Sequence, residues 1–154
     1  MEANNPLMAV LGFTGGLLHV LNHALFKSLL FLGAGSAIIA MHHDQDIRNM
    51  GGIRKYMPIT HWTAWLGSLA LIGFPGFSGF FSKDAIIEAV HHSELFGSGF
   101  AYFAVLIGVA ITAFYSFRLY FLVFHGKERM DEHTREHLHE TPWVVTGPLI
   151  ALAI

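Results

Sequence analysis

Charged side chains are too scarce in this sequence to coat a water-facing sphere of its mass. Only 13% of the 154 residues are charged and 53% are hydrophobic, against about 25% and about 45–50% in a soluble domain. Mean hydropathy is +0.50. A soluble globular enzyme is therefore disfavoured, and an integral membrane chain is the leading class. Lipid offers no partner to the backbone, so a spanning chain must satisfy itself as helix or closed barrel. The long apolar runs point to an all-α bundle of transmembrane helices. The absence of cysteine excludes thiolate-held iron–sulfur clusters, thiolate zinc sites and disulfides. A net charge of −2 gives no basic field that would draw nucleic acid.

A spanning helix needs about 20 mostly apolar residues. Four apolar stretches meet or approach that length, and we treat residues 1–154 as a single membrane domain. The first runs from Leu7 to Met41, with Gly12, Gly15 and Gly16 near its start; Leu7–Gly16 reads as a lead-in and 17–41 as the helix proper. The others cover 61–90, 100–124 and 144–154. The last stops after about half a crossing, which predicts that the chain is a fragment, because half a helix would leave carbonyls unpaired in lipid. Met1–Pro6 lacks the basic region and cleavage site of a signal peptide.

Lys and Arg mark the cytoplasmic side of membrane proteins. Arg48, Arg54 and Lys55 follow the first stretch, and Lys127, Arg129 and Arg135 follow the third, whereas His91–Gly99 carries neither. Loops 42–60 and 125–143 are therefore expected on the cytoplasmic or matrix side. The second stretch holds Gly73, Pro75, Gly76 and Gly79 within seven residues. Pro removes a helix donor and Gly weakens the helix, so a discontinuous helix is predicted. Interrupted helices at membrane depth line cavities and mark ion sites in transporters; a kink without function is the plainer reading.

Ionisable groups inside apolar helices are expensive and should face protein or water. His19, His23 and Lys27 stand at i, i+4 and i+8, which places them on one helix face within about 80° and over about 12 Å of axis. Imidazole accepts a proton on one nitrogen while releasing one from the other. A desolvated amine can trade its proton near neutral pH. The row suits proton transfer. Lys27 snorkelling to an interface, with the histidines gluing helices, is the structural alternative. A zinc or haem site lacks an evident third ligand. Lys83 and Asp84 follow the Gly/Pro break directly, with Glu88 one turn later. The carboxylate of Asp84 could hold the amine charged, or simply neutralise it as a structural pair.

Other clusters read as surface. His42, His43, Asp44, Gln45 and Asp46 begin a loop, and His125, His133, His137 and His139 sit in a charged one, so solvation is favoured over metal binding for both. Arg118 with Tyr120 reads as an interfacial anchor. No phosphate loop, nucleophile elbow or dinucleotide fingerprint is present.

The run His19–Ser36 resembles a signature of the antiporter-like membrane subunits of respiratory complex I, relatives of Mrp-type cation/proton antiporter subunits and of membrane-bound hydrogenase subunits. Asp46–Pro58 resembles the loop that follows it. Phe77–Asp84 and Thr112–Arg118 are similar to the subunit L branch of NADH:quinone oxidoreductase, in which Lys rather than Glu precedes the Asp. Leu21–Lys27 leans toward the hydrogenase relatives. The resemblance implies part of the second of two inverted repeats, from the C-terminal half of a longer subunit. Lys83 would be its central proton carrier, and His19, His23 and Lys27 its hydrated polar axis. Asp84 would tune Lys83 or accept the proton at the exit.

The implied function is proton translocation coupled to quinone reduction by NADH, as a subunit of a translocating enzyme, in a bacterial inner membrane. No cofactor or metal is expected in this chain. NADH, FMN, iron–sulfur clusters and quinone would belong to partner subunits, other complex I membrane subunits being the partners together with lipid. An Mrp-type Na⁺/H⁺ antiporter or hydrogenase subunit, a non-transporting scaffold and a membrane metal or haem protein are the alternatives.

Overall fold

Helices satisfy their own backbone, and all regular structure among the described residues is helical. The computed structural model describes residues 6–154, the Met8 side chain excepted, so the Met1–Pro6 reading lies, apart from Pro6, outside the described residues. Six α-helices follow in order: α1 (Pro6–Ala40), α2 (Pro58–Ile72), α3 (Ser78–His91), α4 (Ser98–Phe124), α5 (Glu132–His137) and α6 (Trp143–Ala153). A 3-10 turn at Ile53–Lys55 precedes α2.

Helix α1 corrects one expectation. Leu7–Gly16 is not a separate lead-in but the first turns of a continuous 35-residue helix. Each helical glycine costs only about 1 kcal/mol against alanine, and two of these are used for close packing. A Cβ on Gly12 would meet the Ala89 Cβ at 3.6 Å, and one on Gly15 would meet the Ala85 Cβ at 3.1 Å. The small residues let α1 and α3 approach, as small-residue stripes do in membranes.

Two helices, α1 from Ala9 onward and α4, are long and apolar enough to cross a membrane. Only 6% of the most apolar window of α4 is buried within the chain, so α4 is not the core helix of a soluble protein. Its side chains, such as Phe100, Phe103, Ile111 and Phe114, stand exposed and require hydrocarbon or further helices around them. The 61–90 stretch is two helices, α2 and α3, with 15 and 14 residues. Each spans roughly 20 Å at 1.5 Å per residue, short of a hydrocarbon core of about 30 Å.

The chain divides into two compact units. One comprises the residues through Ala24 together with Leu69–Phe114; the other comprises Leu25–Ser68 and Tyr115–Ile154. The second unit has a buried cluster that includes Met41, Met50, Ile53, Met57, Tyr120, Phe124 and Leu138. Tyr120 is only 3% exposed, so it is a core residue and not the interfacial anchor expected beside Arg118. The loops after α1 and α4 meet in this unit. Arg129 donates to the carbonyls of Ile47, Arg48 and Leu122, the last of which places a cation at the end of α4. Lys55 pairs with Glu128 at 2.9 Å, which holds the Glu128 carboxyl below its ordinary range. The two basic loops are therefore in contact. Hydrogen bonds from Arg48 hold Asp46 at about 2. Its depressed value makes that contribution present above the ordinary carboxylate range and lost as pH falls through about 2.

A buried hydroxyl chain ties the first turn of α2 to distant sequence. Glu140 accepts the backbone N–H of Ile59 at 2.7 Å and of Thr60 at 3.3 Å, and the Thr60 hydroxyl at 2.6 Å. Ser36 Oγ lies 2.9 Å from Thr60 Oγ1 and 2.7 Å from Thr141 Oγ1. An ionised carboxylate only accepts, so the donors line up one way: Thr141 to Ser36, Ser36 to Thr60, Thr60 to Glu140. Glu140 thus does from outside the helix what an N-cap residue does from within. Glu140→Ala should destabilise the full-length subunit by about 1–3 kcal/mol, with Glu140→Gln losing less. Thermal unfolding in detergent measures this, and an unchanged midpoint for the alanine variant refutes the capping role.

Candidate functional site

The site grows out of the way α2 ends. Gly73 has φ +78°, a left-handed conformation that side chains resist. Its N–H donates to the Ala70 carbonyl at 3.2 Å, and the Phe74 N–H donates to Leu69 at 3.0 Å. This is a Schellman ending, with Gly at the left-handed position. With the helix ended at Gly73, the Leu71 carbonyl is one of its orphan acceptors; in a continuing helix it would have met the N–H of residue 75. Residue 75 is Pro, which has no N–H to give. The carbonyl accepts instead from Lys83 Nζ, at 2.6 Å. The turn at Gly73 therefore frees the acceptor that holds the lysine, and Pro75 offers no N–H to compete for it. The partial negative charge at a helix C-terminus favours a cation there.

Helix α3 starts at Ser78, so Gly79 lies inside the new helix, buried, and not in the break. Lys83 and Ser82 occupy its second turn. Ser82 is fully buried and its Oγ lies 3.0 Å from His19 Nδ1 on α1; it also reaches the Gly79 carbonyl at 3.4 Å. The ring of His23 stands beside that of His19, with centroids 5.6 Å apart. Asn22 donates weakly to the Ser78 carbonyl at 3.4 Å. His19 and Lys83 share the wall of an open cleft of about 260 Å³ with Ile86, Val105, Gly108, Val109 and Thr112. The volume admits several waters, and His19 and Lys83 supply polar partners. A titratable imidazole and a titratable amine thus face one space that water can occupy. That arrangement can hold a proton and pass it on.

Two residues singled out from the sequence are placed differently. Asp84 is exposed, and no ion pair joins it to Lys83 among the described residues. Neighbours on a helix point about 100° apart, and the amine reaches the α2 carbonyl instead. Lys27 is exposed and belongs to the other unit. Sequence reasoning also missed Ser82, the Leu71 carbonyl and Thr112. Only Gly73 and Pro75 carried a signal for the carbonyl, by marking where α2 must end. The three-histidine grouping of His42, His133 and His137 has ring centroids 4.9–6.3 Å apart, but no group of three or more metal-holding side chains exists among the described residues.

An all-helical membrane chain with a lysine set on an interrupted helix is the class that these features define. Residues 6–114 match the family described as NADH:quinone oxidoreductase/Mrp antiporter, transmembrane, and the chain belongs to that family. It is 57% identical over 158 residues to NADH-quinone oxidoreductase subunit L of Neisseria meningitidis serogroup A, covering 92% of this chain and 23% of the relative. Subunit L of Rhodobacter capsulatus is 46% identical, covering 92% and 21% respectively. NADH-ubiquinone oxidoreductase chain 5 of Marchantia polymorpha is 43% identical, covering 88% and 20%. The chain thus spans less than a quarter of the length of these curated relatives.

Gly73 and Gly76 allow the site to be tested. Both have positive φ, at +78° and +95°, so alanine strains the backbone at each. A Cβ at Gly76 meets nothing within 4 Å, whereas one at Gly73 comes 3.1 Å from Lys83 Cδ. Gly73→Ala should therefore cost more stability than Gly76→Ala, the strain alone being about 1–2 kcal/mol. Paired thermal denaturation of the two full-length variants decides it, equal losses being the adverse result.

Proposed function

We propose that this chain is part of a proton-translocating membrane subunit of an NADH:quinone oxidoreductase. Lys83 is the central proton carrier, loaded and unloaded through the cleft that it shares with His19. His23 and Lys27 continue the path along α1 by their four-residue spacing, and Asp84 serves as an acceptor at the exit. The observation that carries this reading is the Lys83 amine, held by a carbonyl that the end of α2 leaves without a helix donor. A neutral carbonyl fixes the amine without locking its charge, as a carboxylate would. The amine can then lose and regain its proton as the surroundings change.

In this reading the subunit spans the bacterial inner membrane several times, with loops 42–60 and 125–143 on the cytoplasmic side. Contacts between those loops support a shared side. The redox steps belong to partner subunits that hold NADH, FMN, iron–sulfur clusters and quinone, and this chain contributes translocation to the enzyme. The family description also names Mrp antiporters. Subunit L relatives favour the NADH-driven reading, and exchange of Na⁺ for H⁺ without NADH would favour the other.

In the assembled complex, Lys83→Met should lower protons pumped per NADH oxidised by about tenfold or more while assembly is preserved. Fluorescence quenching in inverted vesicles, with complex content measured on native gels, provides the readout. Pumping at the normal stoichiometry in that variant would refute the carrier role.

A further inference from the structure

A second group of titratable side chains lies wholly within the other unit, at the end of α4 nearest the basic loops. Tyr120 Oη is 2.6 Å from His61 Nε2. The His61 ring stands 5.6 Å, centroid to centroid, from that of His125, a separation that a direct contact or one water can bridge. His125 Nδ1 lies 3.1 Å from Arg54 Nη1, and its carbonyl accepts from the Gly52 N–H at 3.2 Å. The sequence reading placed His125 in an exposed amphoteric loop. Its ring instead packs against His61, Tyr120 and Phe121, half-buried.

Arg54 fixes the chemistry of this cluster. A guanidinium only donates, so Nδ1 of His125 must accept, and the ring is neutral with its proton on Nε2. Partial burial and the charge of Arg54 push His125 below its ordinary value. The charged and titratable groups facing the pair are Arg54 from the loop before α2 and Tyr120 from α4. Glu128 is engaged with Lys55, and among the described residues no carboxylate pairs with either imidazole. One turn before Tyr120 on α4, Ser116 is 6% exposed and its hydroxyl is buried without a protein partner, the condition in which a hydroxyl takes a water. The four-residue step puts it on the Tyr120 face.

We propose that His125, His61 and Tyr120 form a second proton-handling site, a relay that exchanges protons with water beside the basic loops and conducts them along α4. A proton taken at Nδ1 of His125 displaces Arg54, and the ring releases its Nε2 proton to His61. His61 passes the proton of its other nitrogen to Tyr120 Oη, which gives its own hydroxyl proton to a water held by the Ser116 hydroxyl. Each ring ends neutral in the opposite tautomer, and rotation or a second transfer resets it. The relay rests on the proton-translocating function proposed above.

The test uses the full-length subunit in its assembled complex in vesicles, with His125→Ala and with Tyr120→Phe, which keeps the ring packing. Protons pumped per NADH are followed between about pH 6 and 8, alongside Lys83→Met. The relay predicts a roughly tenfold fall for both relay variants, steepest at the high-pH end. It also predicts that added imidazole restores pumping in His125→Ala, a rescue that a structural defect would not show. Normal pumping in both relay variants, or a loss in His125→Ala that imidazole leaves untouched, overturns the relay. If Lys83→Met pumps normally as well, the translocation reading falls with it. If only Lys83→Met fails, that reading stands and the relay alone is lost.

Discussion

The hydrogen bond from Lys83 to the Leu71 carbonyl is the contact on which the site depends. It exists because α2 ends in a left-handed turn at Gly73, which leaves that carbonyl without a helix donor. Membrane interiors punish unpaired backbone heavily, so the freed carbonyl must be satisfied, and Lys83 does so. The amine in turn is costly in an apolar setting and gains an oriented acceptor. Two liabilities that are each unfavourable alone stabilise one another. The outcome is a lysine held in place by a neutral group, in a cleft wide enough for water.

Packing around that contact follows from small residues. Gly12 and Gly15 bring α1 close to Ala85 and Ala89 of α3, and this closeness sets His19 against Ser82. A larger residue at Gly15 would press on Ala85 and lengthen the His19–Ser82 bond, whereas a Cβ at Gly12 meets Ala89 at ordinary contact distance. The polar contacts of the unit are therefore products of apolar shape. In the other unit the order is reversed. There Glu140, Thr60, Ser36 and Thr141 form a directed chain of donors that ends on a carboxylate, and the apolar cluster gathers beside it.

Much of this architecture is legible in a linear reading, and the misreadings are informative. The interruption between α2 and α3 was visible because Gly and Pro act on the backbone locally. The shared face of His19 and His23 was visible because helix periodicity is local too. Leu7–Gly16 was misread as a lead-in because the role of Gly12 and Gly15 lies on a neighbouring helix. Tyr120 and His125 were misread as surface because the group that buries them, His61, stands about 60 positions away along the chain. Asp84 was expected to serve Lys83 because adjacency in sequence was taken for adjacency in space, which a helix denies to consecutive residues.

The sequence by itself determined what depends on composition and on short-range geometry: a helical membrane chain, the place of its interruption, and which ionisable residues lie within apolar helices. Those properties follow from hydropathy, from the missing proline donor and from a repeat of 3.6 residues per turn. Only the tertiary structure decided which partner each polar group meets. Lys83 finds a carbonyl instead of Asp84, His19 finds Ser82 at a separation of 63 residues, and Glu140 caps a helix that began some 80 residues earlier. Such pairings are settled by how helices pack, and packing is a property of all the side chains at once, which no local pattern encodes.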